Sequence, residues 1–152
     1  MGCSSSGSPA PTDQPSVGGP TTAAAGGVED YLAAINALCD ALLPKIIKVT
    51  HGGRIDVPVH QFLATWPAHD RLHKQFDADV AAVAVPPDAR GAAARLAAYV
   101  RFANRLDAAR LTAAHHGEAA WRKEVQAESG AANDPAITKL EAAGFNQSCT
   151  SR

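Results

Sequence analysis

Three residues near the middle of the chain have the types and spacing to do chemistry. His69, His73 and Asp77 stand at i, i+4 and i+8, which lines two imidazoles and a carboxylate along one face of a helix. That donor set suits a zinc or copper ion, with Asp70 or His60 nearby and room for a fourth ligand from another helix. Polar residues four apart are also common on solvated faces, and Lys74 sits among these three. His115-His116 before Gly117-Glu118 has a simpler account, which His51 shares. Imidazoles in a last helical turn favour the carbonyl end of the dipole, and the glycine is the stop.

Other chemistry is hard to find. No Gly-x-Ser-x-Gly, phosphate-binding glycine loop, zinc-protease histidine pair or CxxC occurs, so nothing points to an enzyme. A formal net charge of −1 and a pI near 6.6 give no electrostatic case for nucleic acid. Arg90, Arg95, Arg101, Arg105 and Arg110 form a row that could meet anionic headgroups or an envelope polymer. The plainer account is a solvated face with acidic partners such as Asp107. Asn146-Gln147-Ser148 reads as a chance sequon, and Trp66 and Trp121 as packing residues. No run of about 18 apolar residues is present, which excludes a transmembrane helix.

The elements that must position these residues are helical. Val28 to Val49 repeats Tyr31, Leu32, Ile35, Leu38, Leu42, Ile46 and Val49 at three- and four-residue steps, predicting one buried face. Pro44 predicts a kink near Asp40, and His51-Gly52-Gly53 a left-handed cap. Asp56 should cap a short helix carrying Val59, Phe62, Leu63 and Trp66. Pro67 should start or kink the next, which runs to about Ala84 with Leu72, Phe76, Val80 and Val83 inward. After Pro86-Pro87, Asp88 should cap a long helix from about Ala89 to His116. Its core face should be Ala92, Leu96, Tyr99, Ala103, Leu106 and Ala113, and its arginines should point out. Two shorter helices follow. One covers Glu118 to Glu128 with Trp121 and Val125 inward; the other starts at Asp134-Pro135 and ends at Gly144-Phe145 with Ile137, Leu140 and Ala143 inward. The expected fold is all-α, an up-and-down bundle of about four main helices over residues 28–152. With aromatics at 5% and abundant alanine, its core should be thin.

Residues 1–27 are Ser, Gly, Pro, Thr and Ala with almost nothing to bury, and should form a disordered tether. A coil of that length spans roughly 25–30 Å. Its opening, Met1-Gly2-Cys3-Ser4-Ser5-Ser6, resembles the start of a mature bacterial lipoprotein, with Gly2 before the cleavage site and Cys3 as the lipidated residue. No charged or apolar stretch precedes Cys3, so the expectation is that a signal peptide has been removed and that Met1 is an added or misassigned start. The same residues also fit N-myristoylation with palmitoylation of Cys3, or a chance cysteine in an arbitrary tail. The Ala/Arg/Gly/Pro bias with few lysines suits a GC-rich bacterial genome.

Cys39 and Cys149 remain. If the chain works outside the cytoplasm they should pair, closing a loop of roughly 110 residues worth at most about 4–5 kcal/mol in the chain-entropy model. The alternative is two free thiols. The Cys3 start, the linker, the Leu38-Cys39-Asp40 helix, the Ala/Arg-rich helices and Gly144-Phe145 before Cys149 together resemble small actinobacterial lipoproteins and secreted helical proteins. That resemblance is one of layout. It implies a membrane-anchored extracytoplasmic lipoprotein on the outer face of the cell membrane, a non-catalytic binding or accessory module for an envelope protein or polymer. The alternative is a metal-binding lipoprotein using His69, His73 and Asp77.

Overall fold

The structure is a computed structural model that describes residues 26–50, 52, 57–128 and 134–150. Cys3 and nearly all of the expected tether lie outside the described residues, as do His51, Gly53 and Asp56. Among the described residues there are five α-helices and no strand. They are α1 (Val28–Val49), α2 (Val59–Ala82), α3 (Arg90–His115), α4 (Glu118–Glu128) and α5 (Pro135–Glu141), with 3₁₀ turns at Pro87–Ala89 and Gln147–Thr150.

The apolar spacing of α1 buries Tyr31, Ile35, Cys39, Leu42 and Ile46 on one face. The helix ends where Thr50 gives both its amide and its hydroxyl to the Ile46 carbonyl, at 2.9 and 2.7 Å. Gly52 then turns left-handed at φ 87°, the expected cap. Against that face pack α2 and the Gln147–Thr150 turn, while α3 packs on both α4 and α5. Leu96, Tyr99, Phe102 and Ala103 of α3 join the α1 face, Leu140 and Phe145 in one core.

No helix starts at Pro67: α2 runs from Val59 through it, as α1 runs through Pro44. Both prolines are exposed, so water can serve a carbonyl that has lost its amide donor. Phe62 and Trp66, on the N-terminal side of Pro67, pack with Trp121 and His69, which rewards a continuous helix.

Asp88 does not cap α3, whose cap residue Ala89 offers no side-chain bond. It lies in the preceding turn and accepts the Val28 amide of α1 at 3.1 Å. The start of α2 is served the same way, with the Val59 amide donating to Glu118 of α4 at 3.1 Å. Gly27 and Pro58, the local cap residues, have no side-chain oxygen, so both helices take their anion from another element. Asp134 caps α5 as expected, through the Ala136 amide at 2.7 Å.

Cys39 and Cys149 form a disulfide with Cα atoms 4.9 Å apart, bridging 110 positions. The returning chain is docked beside it. Asn36 accepts the Asn146 amide at 2.9 Å and donates to the Gly144 carbonyl at 3.2 Å. Asp40 accepts from the Asn146 side chain at 2.9 Å and from the Ser148 hydroxyl at 2.6 Å. Asn146 thus holds the C-terminal turn on α1, a structural role for the residue that heads the sequon.

Candidate metal centre

His69 and His73 are buried on α2, at 7% and 6% exposure. A file of rings leads to them. Trp121 packs on Phe62 at 4.3 Å between centroids, Phe62 on Trp66 at 5.3 Å, Trp66 on His69 at 5.2 Å, and His69 on His73 at 4.1 Å. Trp121 is fixed in turn by its indole N–H, which donates to the Val57 carbonyl at 2.8 Å. Two polar neighbours on α2 pair with each other: Lys74 is exposed and bonds Asp70 at 2.7 Å. One turn of helix therefore carries a solvated pair on one side and the imidazoles on the other.

The carboxylate that meets the imidazoles comes from α3. Asp107 Oδ2 lies 3.6 Å from His73 Nδ1, while Oδ1 accepts from Arg110 Nη1 at 3.1 Å. Arg110 is gripped from α4 by Glu128, Nε to Oε1 at 2.7 Å and Nη2 to Oε2 at 2.8 Å. Burial disfavours the guanidinium charge, but the bonds with Glu128 and then Asp107 outweigh it and hold its pKa above the ordinary arginine value. The result is a line of polar groups across three helices, from His69 through His73, Asp107 and Arg110 to Glu128.

Among the described residues, His69, His73 and Asp107 are the set of His, Cys, Asp or Glu side chains close enough to share an ion, with ligand atoms within 4.8 Å of one another. The two histidines expected from the spacing are thus brought together, and the acid within 4.8 Å of both is Asp107, from another helix. Asp77 lies one turn beyond His73 on the same helix, with a buried carboxylate oxygen of its own. Arg110, expected on the outer face, points inward, whereas Arg90, Arg95, Arg101 and Arg105 are exposed. His60, His115 and His116 are exposed as well.

Asp107 and Glu128 were missed as site residues because their contacts span helices. A signal for Glu128 was present: an acid as the last residue of a helix opposes the dipole, which suggests a partner elsewhere. Chemically, two imidazoles and a carboxylate can hold a zinc- or copper-class ion. An Asp–His pair can also orient an imidazole for proton transfer. No protein-family model, no curated protein and no solved structure matches this chain.

Proposed function

We propose that this chain is a membrane-anchored extracytoplasmic lipoprotein that serves as a non-catalytic binding or accessory module. The observation that carries the reading is the Cys39–Cys149 disulfide, which joins α1 to the last turn of the fold. Structural disulfides form and persist in oxidising compartments and are rare in the cytosol. No helix among the described residues is long and apolar enough to cross a membrane. Attachment in this reading goes through a lipid on Cys3, with residues 1–27 as the spacer. The exposed Arg90, Arg95, Arg101 and Arg105 offer a cationic row to an anionic envelope polymer or protein.

The test is fractionation of the source cells followed by protease treatment of intact cells. The reading expects the chain in the membrane fraction and its digestion from outside. Recovery in the soluble fraction, protected until the cells are lysed, would contradict it.

A further inference from the structure

We propose that His69, His73 and Asp107 form a site for one divalent transition metal ion of the zinc or copper class. The proposal concerns a ligand and not a compartment, so it goes beyond the tethered-module reading and fails or succeeds apart from it.

The first support is the donor set. Two imidazoles from α2 and a carboxylate from α3 approach within 4.8 Å of one another. A tetrahedral zinc site with bonds of about 2.0–2.1 Å places neighbouring donors roughly 3.3–3.4 Å apart. The separation of 3.6 Å between His73 Nδ1 and Asp107 Oδ2 is close to that edge, and no separation in the set exceeds 4.8 Å. Three protein ligands leave a fourth position for water.

The second support is the outer shell. Asp107 divides its oxygens, giving Oδ1 to Arg110 and turning Oδ2 toward His73. Arg110 cannot swing away easily, because Glu128 holds it through two bonds. Ligating carboxylates oriented in this way are typical of built metal sites. Arg110 and Glu128 are therefore positioning residues.

The third support is charge. Asp107 and Glu128 set two carboxylates against the single guanidinium of Arg110, and Glu128 is only 8% exposed. One negative charge is left over beside two imidazoles, which favours a cation there. A proton on His73 would balance the same charge, and the experiment separates the two.

The experiment is calorimetric titration of the untagged, chelator-treated chain with zinc and, separately, copper(II). One equivalent should bind with a Kd in the low micromolar range or tighter. Asp107→Asn and His73→Gln should each weaken binding at least tenfold, while Asp77→Asn and the His115→Gln/His116→Gln pair should change it by no more than about twofold. Circular dichroism checks that each variant is folded. Should a variant not fold, imidazole ¹⁵N spectra of the unaltered chain decide: zinc should shift the rings of His69 and His73. No binding tighter than tens of micromolar with either ion, shifts confined to His115 and His116, or loss with Asp77→Asn in place of Asp107→Asn would overturn the proposal.

Discussion

Arg110 and Glu128 join α3 to α4 through two hydrogen bonds of 2.7 and 2.8 Å, with side chains 15% and 4% exposed. A bidentate pair of this kind is specific in geometry as well as strong. Removing one partner leaves the other charge buried and uncompensated, which typically costs about 3–5 kcal/mol. Glu128→Gln should therefore destabilise the protein by about 3 kcal/mol, the low end because Arg110 keeps Asp107. Arg110→Met, which strands both Glu128 and Asp107, should cost more than Glu128→Gln. Urea denaturation of the three proteins checks the ordering.

Glu118 makes acid stability a second prediction. The Val59 amide, and then Arg122 at 2.9 Å, hold its carboxyl below the ordinary glutamate value. A depressed folded pKa contributes stability above the unfolded value and loses it as pH falls through the folded one. The midpoint of denaturation should drop on acidification below the usual carboxylate range. Glu118→Gln should make that part of the profile flatter, as read from urea midpoints between neutral and acid pH.

Tyr31 sets the alkaline side. The residue is 4% exposed, and its ring meets Phe145 edge-on at 6.5 Å. Burial pushes its hydroxyl pKa up from the ordinary tyrosine value. A raised folded pKa means the contribution is whole below the unfolded value and is lost as pH rises through the folded one. Phenolate absorbance should show Tyr31 titrating above the ordinary tyrosine range, and Tyr31→Phe should remove that contribution.

How much of this was readable beforehand depends on range. α1 and α4 came out of the apolar spacing at the expected residues, since their cues are local: Glu29 and Asp30 in the first turn of α1, Gly52 past its end, Gly117 before α4. Pro67 misled because a breaker rule counts only the chain around it, whereas Trp121 and His69 pack on the aromatics of that helix. Asp88 was assigned to the helix that follows it and serves one 60 positions away. The histidine pair was visible as a helical stripe. Asp107 was visible only as an acid among arginines, because its choice between solvent and His73 is made by the approach of α2 to α3.

The disulfide yields a further prediction. Cutting a loop across 110 positions should lower stability by up to about 4–5 kcal/mol, a large share of a usual total of about 5–15 kcal/mol. Thermal melts with and without a strong reductant, and of Cys39→Ser/Cys149→Ser, should show the same large fall in midpoint. Asn36 and Asp40 hold the returning chain by hydrogen bonds, so some helical structure should persist.

The state of the three sulfurs in the cell bears most directly on the tethered-module reading. Source cells quenched with acid, treated with an alkylating reagent and digested for peptide mass spectrometry should give Cys39 joined to Cys149 and Cys3 carrying a thioether-linked lipid. Three alkylated cysteines, with Cys3 unmodified before the quench, would contradict it.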